Sequence, residues 1–140
     1  MSAKFFLDTN IFIYSLGGTP AGKAHRAAEL VREAVDSRNG IISYQVVQEF
    51  FNVAFRRFAP PMTLVEAEQY LSSVFRPMLA VQSSQGLFAD ALRLYERYRL
   101  SWYDSLIVAA ALEAQCSVLY SEDMRHGQTF GDLRIDNPFR

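Results

Sequence analysis

Short apolar runs alternate with longer stretches of helical periodicity along this chain. Residues 3–8 read as a buried strand, since Phe5-Phe6-Leu7 runs without a polar break until Asp8. "GGTPAG" at 17–22 is a loop by its Gly and Pro content. Residues 21–37, rich in Ala, Glu, Arg and Val, predict a helix that Asn39-Gly40 stop, and Ile41-Ile42 begin a short strand. Ser43 stands where an N-cap belongs, for a helix running to about Phe58 with Ala59-Pro60-Pro61 as its stop. Further helices fit 64–76, 84–98 and 102–115, the second with Leu87, Ala91, Leu94, Tyr95 and Tyr98 at helical spacing. Strands fit 78–81 and 117–120, and 133–135 reads as an edge strand. Alternating short apolar strands and helices predict an α/β fold, a mainly parallel sheet covered on both faces. Nothing divides the chain into repeats or linkers, so residues 1–140 are expected to form one domain.

The acidic positions change this picture. In a parallel sheet, sites form beyond the carboxyl ends of strands, and Asp8 falls there. A carboxylate at the end of a buried strand is costly unless it is paired or binds a metal. On the helix after Ser43, Val46, Val47, Phe50, Phe51, Val53, Ala54 and Phe58 gather on one side, and Gln45, Gln48, Asn52 and Arg56 on the other. Glu49 lies on the boundary, either as a surface glutamate paired with Arg56 or as a site acid. The helix "WYDSLIVAAALEAQ" is apolar nearly all round, yet carries Asp104 in its first turn. Asp104 reads equally as the partner of Ser101 in a capping box and as a site acid. Ser105 beside it either stays solvated or bonds backwards to a carbonyl. Glu122 and Asp123 follow another strand end, as a polar loop or as the last acids of a site. Acids at two strand ends and near two helix beginnings converge on one edge of such a sheet. Clustered carboxylates without a cation repel strongly, so the pattern implies Mg²⁺ or Mn²⁺, which take hard oxygen ligands.

Composition permits this and narrows the class. Half the residues are hydrophobic, with 11 Phe and 7 Tyr, enough for a packed core. The formal net charge is −1, which rises to +3 once four metal-bound carboxylates are set aside. That is permissive of a nucleic acid partner without advertising one. The single Cys116 excludes an internal disulfide framework and fits a reducing compartment and a small core residue. The start, "MSAKFF", does not read as a signal peptide, and the longest apolar run, "LIVAAAL" at 106–112, is too short to span a bilayer. A cytoplasmic protein with no membrane association is expected.

Four blocks, "FLDTNIFIY", "SYQVVQEFFNV", "WYDSLIVAAAL" and "LYSEDMRHGQ", resemble in this order the PIN-domain ribonucleases, in particular the VapC-type toxins of toxin–antitoxin pairs. The resemblance spans essentially the whole chain, including the tail "LRIDNPF". It implies a three-layer sandwich and a metal-dependent endoribonuclease that leaves 5′-phosphate and 3′-hydroxyl ends. It places the family's acids on Asp8, Glu49 and Asp104. The fourth, two residues beyond a Ser or Thr, falls on Asp123, with Glu122 its adjacent competitor. Thr9, Asn10 and Ser121 would be supports. Implied partners are a structured RNA such as a transfer RNA or ribosomal RNA loop, a cognate antitoxin and a second copy of the chain.

Other residues support plainer readings. Arg125 and His126 read as a solvated loop pair or as phosphate contacts. His25 is structural. Trp102 and Tyr103 read as core or dimer packing before base stacking. Arg56, Arg57, Arg93, Arg97 and Arg99 make solvated cationic faces, or phosphate contacts if they flank the acids. Two other functions compete. An aspartyl-nucleophile phosphatase of the HAD type also begins with a strand ending in Asp, but it needs Asp-x-Asp where this chain has Asn10. A non-catalytic binding module would not need all four acids. Neither a Gly-rich phosphate loop nor a Gly-x-Ser-x-Gly elbow is present.

Overall fold

The computed structural model describes residues 3–17 and 21–140. It opens with β1 (Phe5–Leu7), whose three residues are all buried. Successive strand residues point to opposite faces, so both faces of β1 are covered. There follow α1 (Thr9–Ser15), α2 (Ala21–Ser37), β2 (Gly40–Ser43), α3 (Tyr44–Arg56) and α4 (Leu64–Tyr70). A π-helical turn over Leu71–Phe75 leads into α5 (Arg76–Met78) and β3 (Leu79–Val81). The chain ends with α6 (Gln85–Tyr98), α7 (Trp102–Glu113), β4 (Val118–Tyr120), β5 (Thr129–Phe130) and β6 (Leu133–Asp136). Of the loop expected at 17–22, residues 18–20 lie outside the described residues, and 21–22 already belong to α2.

The strands form one sheet in the order β3-β2-β1-β4-β6-β5. Every pairing is parallel except that of β5 with β6. The α/β class with a mainly parallel sheet is therefore as expected. From β1 the chain moves outward to β2 and β3 on one side, then returns to β4 on the other. The carboxyl ends of β1 and β4 thus flank a topological switch point, where α/β sheets open a crevice. Residues 133–135 are not an edge strand: β6 lies between β4 and the two-residue β5, which takes the edge.

Two helix groups pack closely, α1 with α2 and α3, and α6 with α7. The helix α3 is anchored through Phe50. Its ring stacks on Tyr70 at 4.9 Å and meets Phe75 edge-on at 5.2 Å. This anchor turns the next residue back along α3, Glu49, away from the core. The helix α7 is buried continuously from Ser105 to Ala111, as its all-round apolar sequence requires. On α6 only Leu87 and Ala91 are buried, and Tyr95 of the expected apolar face is half exposed.

Local chemistry departs from expectation at three helix ends. Ser43 precedes α3 as an N-cap should, but its hydroxyl makes no capping bond and is buried without a partner. The reciprocal capping box forms instead at Thr63 and Glu66. Gly40 does not stop α2. Arg38, with φ of 63°, turns the chain in the left-handed region, and Gly40 starts β2. Glycine is required there by space: a Cβ would sit 2.2 Å from the Ala34 Cβ and 2.7 Å from its Cα. Gly40→Ala must push α2 off the sheet, and should cost about 1–3 kcal/mol, the usual scale of overpacking. Urea denaturation of both proteins measures it, and an unchanged midpoint would show that α2 yields freely.

Candidate active site

At its carboxyl end β1 aligns Leu7 with Tyr120 of β4, so Asp8 and Ser121 leave the sheet side by side. The Asp8 N–H donates to the Tyr120 carbonyl at 3.1 Å. The Asp8 side chain then does two things. Its Oδ1 accepts the Thr9 N–H at 2.8 Å, which caps α1. Its Oδ2 accepts from the Ser121 hydroxyl at 2.9 Å. Helix α1 had no counterpart in the apolar pattern. Its signal was the acid itself, acting as N-cap before a short turn that buries Ile11 and Phe12.

Around Asp8 opens a pocket of about 310 Å³ walled by Asp8, Glu49, Asp104 and Asp123. Each arrives on a different element. Glu49 comes from α3, where its Oε1 accepts from the Thr9 hydroxyl at 2.6 Å. It does not pair with Arg56 among the described residues. Gln45, placed by its periodicity on the polar side of α3, is buried because its amide bonds the Tyr103 carbonyl at 3.3 Å. Asp104 enters from the first turn of α7. Ser101 accepts its N–H at 3.1 Å, and the Ser105 hydroxyl bonds back to the Ser101 carbonyl at 2.8 Å. Asp123 stands on the loop after β4, exposed, and accepts from the Asn10 amide at 3.1 Å.

Glu122 is not in the wall. It turns the other way, to Tyr14 and Lys23. Burial raises its pKa, but Lys23 and Tyr14 more than offset this, so it is lowered overall. Arg125 and His126 also lie outside the wall; His126 Nδ1 accepts from the Asn137 N–H at 3.0 Å. Tyr103, expected in packing, is 63% exposed and stands at the rim, whereas Trp102 does pack, against Phe88 and the core.

The electrostatics are one-sided. Thr9, Asn10, Gln45 and Asn52 add neutral oxygen and nitrogen groups to the wall, and among the described residues it contains no Lys, Arg or His. Burial pushes Asp8 from 3.8 up to about 6; the bonds from Thr9 and Ser121 oppose this, and the charges of Asp104 and Glu49 add to it. Asp104 is raised as well, by burial first, against Ser101, with Asp123 and Glu49 contributing. Oxygen-rich and uncompensated, this donor set fits a hard divalent cation. No three acid or imidazole side chains among the described residues close into a ready-made cage.

The raised Asp8 has a definite sign. Its protonated form favours the fold, so this contribution is complete below pH 3.8 and is lost as pH rises through about 6. Above that the ionised group costs about 3 kcal/mol as an order of magnitude. Asn keeps an acceptor for the Thr9 N–H and carries no charge. In EDTA, Asp8→Asn should therefore be the more stable protein at pH 7.5, and the gap should close near pH 4. Urea titrations across that range test it, and a gap independent of pH would exclude ionisation as the cause.

No curated protein matches the chain. Solved structures share its fold. A toxin–antitoxin complex from Klebsiella pneumoniae aligns over 98% of each chain, at 18% identity and a TM-score of 0.68. VapC20 of Mycobacterium tuberculosis, described as a sarcin–ricin loop cleaving toxin, aligns over 86% of this chain and 90% of its own, at 18% identity and 0.65. VapBC2 from Rickettsia felis, bound to a DNA fragment from its promoter, aligns over 95% and 97%, at 18% identity and 0.58. The PIN domain model matches residues 5–129, which takes in β1 to β4 and all four pocket acids, and the chain belongs to that family.

Proposed function

We propose that this protein is a metal-dependent endoribonuclease and the toxin of a toxin–antitoxin pair. The observation that carries the reading is the convergence of Asp8, Glu49, Asp104 and Asp123 on one pocket with no cationic residue in its wall. Such a pocket repels a phosphodiester until a divalent ion is bound, and so couples substrate binding to metal. Asp8, Glu49, Asp104 and Asp123 would hold Mg²⁺ or Mn²⁺, which supplies an activated water and stabilises charge on the scissile phosphate.

The protein's own residues do the positioning. Ser121 and the Thr9 N–H fix both oxygens of Asp8. The Thr9 hydroxyl and Gln45 orient Glu49, and Asn10 orients Asp123. Tyr103, exposed at the rim, would offer a stacking face to a base adjoining the scissile phosphate. In-line attack of water would leave 5′-phosphate and 3′-hydroxyl ends. With Asn10 occupied as a donor to Asp123, the HAD-type reading lacks its second carboxylate. A binding module would have no need of four oriented acids.

The fold neighbours support the class of partner. One is described as cleaving the sarcin–ricin loop, one is a toxin–antitoxin complex, and one, VapBC2, is bound to a DNA fragment from its promoter. We extend this to a structured RNA substrate, a cognate antitoxin, a homodimer and a cytoplasmic setting. No described helix is long and apolar enough to cross a membrane. Beside the acid pocket lies a groove of about 740 Å³, lined by Ile13, Leu16, Val53, Phe58 and Met62 among others, which suits an apolar antitoxin segment.

Expressed without an antitoxin, the wild type should arrest growth, and Asp104→Asn should not. With a defined RNA at fixed Mg²⁺, the same substitution should slow cleavage by about a hundredfold or more, the scale of losing transition-state charge stabilisation. Circular dichroism must show both proteins folded. A folded Asp104→Asn protein that stays fully toxic would place the chemistry elsewhere, and sequencing of RNA 5′ ends after brief induction identifies the target.

A further inference from the structure

Two adjacent acids follow β4, and they point in different directions. Asp123 faces the pocket and accepts from Asn10. Glu122 faces away, into a cluster on the other side of the loop. Its Oε1 accepts from the Tyr14 hydroxyl at 2.6 Å, and its Oε2 pairs with Lys23 Nζ at 2.5 Å. Lys23 Nζ also lies 5.3 Å from the Tyr14 ring centre and 5.9 Å from that of Phe139. Those two rings meet edge-on at 5.4 Å. From the chain's end, the Asn137 amide reaches the Glu122 carbonyl at 3.5 Å, and the Asn137 N–H bonds His126 on the same loop.

Asn10 and Tyr14 stand four residues apart on α1, hence on one face in successive turns. One turn holds Asp123 and the next holds Glu122. The Glu122 and Lys23 side chains are only 18% and 35% exposed, so this pair is more sheltered than a surface ion pair of negligible strength. Rotation of the loop that brought Glu122 to the pocket would break both of its bonds and strand the Lys23 charge among aromatic rings.

We propose that Glu122 is a positioning residue: clamped by Tyr14, Lys23 and Asn137, it sets the loop after β4 so that Asp123 alone of the two acids faces the pocket. Its geometry stands independently, and its consequence for catalysis rests on the nuclease reading above. His126 acquires a role in the same device, since it ties the loop to the segment after β6.

The test uses the full chain with Glu122→Ala, Glu122→Gln, Asp123→Asn and the double variant Glu122→Ala with Asp123→Asn. In metal-free protein, the side-chain amide resonances of Asn10 report its bond to Asp123 without any reaction. They should shift in Glu122→Ala and shift less in Glu122→Gln, which keeps an acceptor for Tyr14 but loses the charge that pairs with Lys23. In cleavage assays, Glu122→Ala should raise the Mg²⁺ concentration for half-maximal rate and slow the reaction about tenfold, a coupling typical of contacting residues. In the Asp123→Asn background the same change should add nothing. Unshifted Asn10 resonances, or additive effects in the cycle, would overturn the proposal. If Glu122→Ala fails to fold, Tyr14→Phe, which removes one hydroxyl, carries the same readouts. Should the wild type cleave no RNA with Mg²⁺, the nuclease reading fails, and the Asn10 resonances still decide the positioning.

Discussion

Asp8 sits buried at the carboxyl end of β1, where burial raises its pKa and the charges of Asp104 and Glu49 add to the shift, and the cost of ionising it there is the constraint around which the site is organised. Like charges in a partly buried pocket drive one another apart unless each is held. Here three of the four are held by neutral donors: Ser121 and the Thr9 N–H on Asp8, the Thr9 hydroxyl on Glu49, Asn10 on Asp123; Asp104 is placed through its backbone, by the bond of its N–H to Ser101. Neutral donors orient a carboxylate without cancelling its charge. A lysine or arginine in the same places would relieve the strain and remove the demand for a cation. The wall contains neither among the described residues.

The surrounding fold supplies the rigidity this needs. Phe50, stacked on Tyr70 and set against Phe75, fixes the rotation of α3 and with it Glu49. The burial of α7 from Ser105 to Ala111 fixes Asp104, which projects from the first turn, just ahead of the enclosed stretch. Asp8 and Asp123 are tied to the switch point between β1 and β4. A site assembled from four separate elements is only as precise as their packing, so the large aromatic core is part of the chemistry.

The device on the far side of the loop after β4 follows the opposite rule. There a charge is neutralised, by Lys23 against Glu122, and enclosed by Tyr14 and Phe139. The chain thus uses paired charge to fix the loop and unpaired charge to make the pocket. Two neighbouring acids, one residue apart, serve these two ends.

Much of this was written in local pattern. Apolar runs and helical spacing determined the alternating strands and helices, because burial on two faces demands unbroken apolar strands. Acids beyond the ends of such strands marked Asp8 and the pair Glu122 and Asp123, the first turn of an apolar helix marked Asp104, and the boundary between two helix faces marked Glu49. Other features had no local signature. The hydroxyl of Ser43 looked like a cap and bonds nothing, buried at the end of β2. Gly40 looked like a helix stop and is a spacer, because α2 lies directly over it. Gln45 looked solvent-facing and is buried, because a carbonyl of a distant helix needed its amide. Whether residues 133–135 lay at the edge, and which of Glu122 and Asp123 faces the pocket, depended on β5, Tyr14, Lys23 and Asn137, which are remote in sequence. Periodicity reports how each segment meets an average interior. Only the tertiary structure decides which donor meets which carboxylate, because those bonds join residues 40 to 113 positions apart.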